Sequence, residues 1–167
     1  MIDIKNPFQV KILLTYENLA DNTAAARAVR RLQADLEKEG SQVIVAENLD
    51  DAKAIFSSDA GIQCVLMGVE CSRCANTYEA LSFIRGQNKE IPIFVMSSRN
   101  MASQIPTDVL DKVSDFIWLL EDTIEFISGR VQAAVRRYRQ FILPPMFKAL
   151  AKFAKVHEYS WHAPGHT

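Results

Sequence analysis

Short runs of apolar residues alternate along the chain with segments whose apolar residues recur every three or four positions, and the alternation repeats about five times. Val10 to Tyr16 (VKILLTY) is apolar in a continuous run rather than at every second position, which predicts a strand covered on both faces. Asp21, Asn22 and Thr23 then offer N-cap oxygens, and Ala25, Val29, Leu32 and Leu36 share one helical stripe ahead of a stop at Gly40. The unit recurs as a strand over Gln42 to Ala46 and a short helix over Asp50 to Ser57 that buries Ala52, Ile55 and Phe56. A third strand, Ile62 to Val69, precedes a helix over Asn76 to Gly86 with Tyr78, Leu81 and Ile84 or Arg85 on successive turns. Ile91 to Ser97 is the fourth strand, with Pro92 tolerated near its start. Residues 98 to 114 are polar, with Pro106 and one helical turn, and Asp115 to Leu120 is the fifth strand.

Asp122 and Glu125 have capping-box spacing, and the helix they start carries Ile124, Ile127, Val131, Ala134, Tyr138 and Phe141 or Ile142 on one side. Its other side holds Arg130, Arg136, Arg137 and Arg139, read as a solvated side or a subunit contact rather than a basic patch. Pro144-Pro145 predicts a break, because neither proline has an amide proton and each disfavours the helical region for the residue before it. A last helix from Pro145 places Phe147, Leu150 and Phe153 or Ala154 along one side, where roughly 1.5 to 3 kcal/mol of burial per side chain awaits a partner surface. The remaining HEYSWHAPGHT reads as the start of something further, so the chain is expected to be the front part of a longer polypeptide.

Composition narrows the picture. The 167 residues suit one domain, and 49% hydrophobic against 23% charged residues is ordinary for a globular chain. Lys+Arg 19 against Asp+Glu 20 leaves a net charge of -1, so generic binding to nucleic acid or to an anionic membrane has no electrostatic basis. No apolar run reaches the roughly 18 residues of a membrane span, and the N-terminus has no signal or transit pattern, which makes the cytoplasm the expected location. Three cysteines, Cys64, Cys71 and Cys74, fit a reducing compartment better than a disulfide scaffold.

The rhythm predicts an α/β, flavodoxin-like or receiver-like three-layer domain with a five-stranded parallel sheet, followed by a helical linker. Ligands of such folds sit beyond the carboxyl ends of the strands, so the informative loops are Glu17-Asn18, Gly68-Val69-Glu70, Ser97-Ser98 and Leu120-Glu121-Asp122. The pattern resembles the receiver domain of response regulators, whose phosphotransfer needs an acidic pair for a divalent cation, a nucleophilic aspartate, a hydroxyl and a lysine. Here Gly68 or Val69 stands at the aspartate's place and Leu119 or Leu120 at the lysine's, and only Glu17 and Ser97 fit. Aspartyl phosphorylation is therefore not expected.

Other chemistry is thin. The first loop, TYENLADNT, has no glycine and two acids, which oppose a flavin phosphate, and neither GxGxxG nor GxxxxGK[ST] occurs. Cys71-Ser-Arg-Cys74, beside Arg73, has CxxC spacing without a second pair, and reads as two thiols rather than a redox or zinc site. His157, His162 and His166 lie close together, but Pro164-Gly165 prevents the helix that would align the last two. Glu17, Glu70 and Glu121 could gather at the carboxyl edge, where solvated carboxylates bind weakly, and no metal is expected.

From residue 121 onward the motifs sharpen: Glu121-Asp122-Thr123, Phe126-Ile127-Ser128-Gly129-Arg130, Arg137-Tyr138-Arg139-Gln140, Leu143-Pro144-Pro145, His157-Glu158-Tyr159-Ser160-Trp161 and Ala163-Pro164-Gly165-His166. In these the chain resembles the front end of the bacterial ornithine/lysine/arginine decarboxylases, nearest in pattern to their biodegradative, acid-inducible arginine branch. The resemblance implies a receiver-like wing over about 1 to 130, a helical linker over 131 to 156, and at 157 to 167 the first residues of a pyridoxal-phosphate domain, with Ala163, Pro164, Gly165 and His166 as its opening motif. It further implies a parent enzyme that decarboxylates arginine, lysine or ornithine in acid resistance and assembles as dimers and decamers. The cofactor lysine of that family lies in a Ser-x-His-Lys segment, and His157, His162 and His166 are followed by Glu158, Ala163 and Thr167 instead. This stretch is thus expected to bind no cofactor and catalyse nothing. The second reading is a stand-alone pseudo-receiver interaction module.

Overall fold

The apolar runs form one parallel sheet in the order β2-β1-β3-β4-β5, built from β1 (Lys11–Thr15), β2 (Gln42–Ala46), β3 (Ile62–Gly68), β4 (Ile93–Ser97) and β5 (Asp115–Trp118). Helices α1 (Ala24–Lys38), α2 (Leu49–Ser58), α3 (Cys74–Gln87), α4 (Thr107–Leu110) and α5 (Ile124–Trp161) connect or follow the strands, with a 3-10 helix over Arg99–Gln104. The computed structural model describes residues 9–69 and 74–161, and side chains throughout these except at 74, 75, 100 and 143–161. The predicted receiver-like architecture is the one observed.

Both faces of the sheet are covered, as the continuous apolar runs require. On one face Ile12, Leu14, Leu66, Phe94 and Ile117 pack against Val29, Leu32 and Leu36 of α1 and Ile127 and Val131 of α5. On the other, Leu13, Val65, Met67 and Ile93 meet Ala52 and Phe56 of α2 and Leu81 and Ile84 of α3. Local signals fix the ends of α1. Thr23 Oγ1 accepts from the Ala26 amide at 3.1 Å, and Gly40, at φ 97°, lets the amides of Gly40 and Ser41 bond back to Glu37 and Leu36 in a Schellman closure. Asn48 caps α2 in the same way, through the Asp51 amide at 2.8 Å.

Some expectations shift. The buried stripe of α1 is Ala26, Val29, Leu32 and Leu36, with Ala25 half-buried. On α3 the buried positions are Thr77, Ala80, Leu81 and Ile84, so Tyr78, one residue off that stripe, is exposed and lies 5.4 Å from the Lys112 ammonium. Helix α5 is capped by Thr123, whose Oγ1 accepts from the Phe126 amide at 3.3 Å, and not by Asp122, which is drawn to the Trp118 amide. The break at Pro144-Pro145 does not occur: α5 is continuous from Ile124 to Trp161. Because the two prolines are adjacent, the missing amides affect neighbouring carbonyls in a single turn, and their fixed φ is itself helical.

The seated half of α5 is pinned at the amino edge of the sheet. Tyr138 is buried in the second core cluster, and its hydroxyl accepts from Asn88 Nδ2 at 2.8 Å. One residue on, Arg139 Nε donates to Gln63 Oε1 at 2.6 Å. Gln63 is the residue that the β1–β3 register skips between Ile62 and Cys64, so a bulge aims its side chain at the helix.

Two stability outcomes follow from this packing. Ile127→Ala, which removes the first fully buried anchor of α5, should cost about 2 to 5 kcal/mol in urea unfolding. The Asp59 carboxyl is pushed up by burial, but the Gly61 amide at 2.9 Å and the Lys11 ammonium at 3.1 Å outweigh this and hold it below the usual range. A lowered folded pKa stabilises above the unfolded value of about 3.9 and is lost as pH falls through the folded one. The stability gap between the parent chain and Asp59→Asn should therefore be constant above about pH 5 and close below about pH 4 in denaturant titrations.

Candidate functional site

In this topology the direction of the crossovers reverses between β1 and β3, which opens a crevice at their carboxyl ends. A cleft of about 340 Å³ lies there, between those strand ends and the first turns of α2 and α3. Tyr16, Glu17, Asp50, Lys53, Thr77 and Glu79 contribute to its walls. Lys53 Nζ sits 3.2 Å from Glu79 and 3.3 Å from Asp50, and its hydrogen bonds to these carboxylates, Glu79 first, raise its pKa. The Lys53 ammonium is thus engaged by two carboxylates rather than presented to the cleft alone.

The end of β3, where a receiver carries its nucleophile, is Gly68. A Cβ added there would fall 2.5 Å from Cδ2 of Tyr16, so the tyrosine ring fills the space into which an aspartate would project. Ser97 is buried at the end of β4, with its hydroxyl donating to the Ser98 carbonyl at 3.3 Å. Beyond β5, Leu119 is buried and Leu120 is 55% exposed, so no ammonium is available at that place. The site keeps the receiver's walls and lacks its reacting groups. The Tyr16–Gly68 contact was invisible to sequence reading, although Gly68 at a strand terminus followed by Val69 signalled the missing carboxylate.

The other candidates separate. Glu17 lines the cleft, Glu121 is exposed and is not among its lining residues, and Glu70 lies outside the described residues, so the suspected acidic cluster is not assembled among them. No three of the described His, Cys, Asp and Glu residues are grouped to hold a metal ion. Cys64 is buried and inert, while Cys71, Arg73, His162, His166 and the Ala163-Pro164-Gly165-His166 motif lie outside the described residues, as do the side chains of Cys74, Phe147, Leu150, Phe153 and His157. No helix among the described residues is long and apolar enough to cross a membrane.

The arginines of α5 do not form one solvated row. Arg136 and Arg137 are exposed, whereas Arg139 is held by Gln63 and Arg130 by two carboxylates of the sheet edge. Arg130 binds Asp115 directly and lies 3.8 Å from Asp122. These same carboxylates cap β5: Asp115 accepts from the Phe116 amide at 2.8 Å and Asp122 from the Trp118 amide at 3.4 Å. Sequence spacing offered no sign of this clamp, since Asp115 and Arg130 are 15 residues apart.

Comparison with known proteins agrees with this geometry. The family described as Orn/Lys/Arg decarboxylase, N-terminal domain, matches residues 24–138. The chain is 36% identical over 159 residues to the biodegradative arginine decarboxylase of Escherichia coli K12, covering 93% of this chain and 21% of that protein. It is 26% identical to lysine decarboxylase A of Pseudomonas aeruginosa, whose solved structure superposes with a TM-score of 0.77 over 95% of this chain and 22% of that one. A response regulator receiver domain from Clostridium thermocellum, 13% identical, superposes with a TM-score of 0.63 over 80% of this chain and 99% of that domain, which shows the shared fold. The chain thus spans about a fifth of the length of the curated relatives it matches.

The plugged nucleophile position is open to a direct check. The chain incubated with acetyl phosphate and Mg²⁺ should gain no phosphoryl group by intact-mass spectrometry. Gly68→Asp should gain none either and should lose about 1 to 3 kcal/mol in urea unfolding, because the new side chain meets the Tyr16 ring. Adding Tyr16→Ala should recover part of that loss.

Proposed function

Because the chain belongs to the N-terminal domain family of the ornithine/lysine/arginine decarboxylases, we propose that it is the non-catalytic wing and linker of a pyridoxal-phosphate-dependent decarboxylase of a basic amino acid. Arginine is the favoured substrate, since the arginine decarboxylase matched is 36% identical and the Pseudomonas lysine decarboxylase 26%. The proposed organisation is a wing over residues 1–130, a linker over 131–156 whose first turns rest on the sheet, and at 157–167 the first residues of the catalytic domain. Ala163, Pro164, Gly165 and His166 open that domain in this reading, and the protein works in the cytoplasm.

The observation that carries the non-catalytic role is the cleft itself, which fits neither a phosphoryl-transfer centre nor the cofactor. Its nucleophile position is a glycine under a tyrosine ring. Its acids, Glu17, Asp50 and Glu79, oppose a phosphate, and its one lysine is committed to two of them. Pyridoxal phosphate supplies an electron sink for decarboxylation when bound, and that chemistry is assigned to residues downstream of this chain.

What is left for the domain is to hold neighbouring subunits. Three large apolar side chains on α5 and the loop before it support this: Leu120, Phe126 and Phe141 are 55%, 57% and 63% exposed. An oligomer built partly through the wing is the arrangement we favour.

The decisive measurement uses the full-length protein with pyridoxal phosphate and arginine, lysine and ornithine in turn, followed by carbon dioxide release. Arginine should be turned over fastest, and the 167-residue chain alone should release nothing. No turnover of any of the three by the full-length protein would refute the assignment.

A further inference from the structure

An open parallel sheet has two edges, and this one treats them differently. At β5 the outward amides of Phe116 and Trp118 are occupied by the Asp115 and Asp122 carboxylates that Arg130 holds, and the Trp118 carbonyl accepts from the amides of Glu121 and Asp122. That edge is closed to a further strand.

At β2 the situation is reversed. The Gln42 amide donates to the Val10 carbonyl at 2.7 Å, so alternation turns the amides and carbonyls of Val43 and Val45 away from β1. The strand reads QVIVA, with no charge, no proline and three successive β-branched residues, and Val45 is 36% exposed. None of the usual devices against strand addition is present on it. The Asp51 carboxylate caps only the next outward amide, that of Glu47, at 3.1 Å.

We propose that β2 pairs antiparallel, across a two-fold axis, with β2 of a second copy of this chain. The choice of occupant comes from the charges at the two ends of the strand. At its amino end Arg136 and Arg139 share a cavity of about 160 Å³ with Glu39 and Ser41, and with Lys38 these cations outnumber Glu37 and Glu39 by one. At its carboxyl end stand Glu47, Asp50 and Asp51, with Lys53 the one cation among them. A parallel neighbour would set like charge beside like. An antiparallel copy sets the basic end against the acidic end twice, once on each side of the axis.

The register follows from the same alternation. Ile44 faces Ile44 of the second copy on the axis, and Val43 faces Val45 on either side, so the outward groups of these valines exchange four hydrogen bonds. The two sheets become one of ten strands. The contact is small beside the roughly 1,000 Å² of a stable specific interface, and it acts as a weak one that adds to others in an assembly. It stands on the edge chemistry and end charges of β2 and not on the family assignment, so its failure would leave the decarboxylase assignment untouched.

Sedimentation equilibrium of the 167-residue chain up to about 1 mM subunit should show a monomer–dimer equilibrium. Val45→Lys should weaken it at least about tenfold with circular dichroism and melting temperature unchanged, because position 45 is exposed in the single copy. Across the axis, non-hydrogen-bonded Cα atoms lie about 4.5 Å apart, within disulfide reach. With Cys71 and Cys74 changed to serine, Ile44→Cys should therefore oxidise to a covalent dimer, whereas Val45→Cys, displaced from its own copy, should not. If Val45→Lys fails to fold, this pair of cysteine variants decides alone. A chain that stays monomeric throughout, a dimer indifferent to a folded Val45→Lys, or the absence of the 44–44 disulfide would overturn the proposal.

Discussion

Burial of a parallel sheet on both faces governs what else this domain can do. The largest fully buried side chains include Ile12, Leu13, Leu14, Leu66, Met67, Ile93 and Met96, all on β1, β3 or β4, and they alternate between two helical layers. With both faces spent on cohesion, the sheet itself keeps only its carboxyl rim, its amino rim and its two edge strands for interaction, beside the outer surfaces of the helices. The cleft with Tyr16 and Gly68 occupies the first, the Tyr138 and Arg139 clamps the second, and the edges divide into one capped and one bare.

Most of the architecture was legible in the chain because burial leaves a coarse, periodic trace. Continuous runs marked all five strands to within a few residues, and the stripes of α1 and α5 identified their inward faces. Where reading failed, the deciding interaction was short-range or distant in sequence. Thr123 rather than Asp122 caps α5 because the Asp122 carboxylate is taken by the Trp118 amide. Tyr78 misled because a large aromatic one step off a buried stripe looks apolar from sequence while standing in solvent. The two prolines misled because isolated propensity predicts a break, whereas a long helix can carry one defective turn between intact ones.

The candidate site was legible mainly by subtraction. Missing carboxylate and missing lysine could be seen from Gly68 and Leu119 or Leu120, and the family resemblance from the motifs after residue 121. The positive reason for Gly68 could not, since it depends on a tyrosine 52 positions earlier lying 2.5 Å from where a Cβ would stand. The place where a receiver fold would put its nucleophile is here filled by packing, the Tyr16 ring lying against Gly68. Arg130 shows the same economy at the edge, where an ion pair doubles as a hydrogen-bond cap for exposed backbone.

The uninterrupted course of α5 has a mechanical meaning. Its 38 residues extend about 57 Å at 1.5 Å per residue, and the half wedged against the sheet is continuous in backbone with the half beyond it. Such a rod transmits both reach and phase. Losing one residue after Arg139 would draw whatever is attached at Trp161 inward by about 1.5 Å and swing it through about 100°, while losing seven would shorten the rod yet nearly restore its bearing. The offset and bearing between the two ends of α5 are thus set together, in steps of the helical pitch.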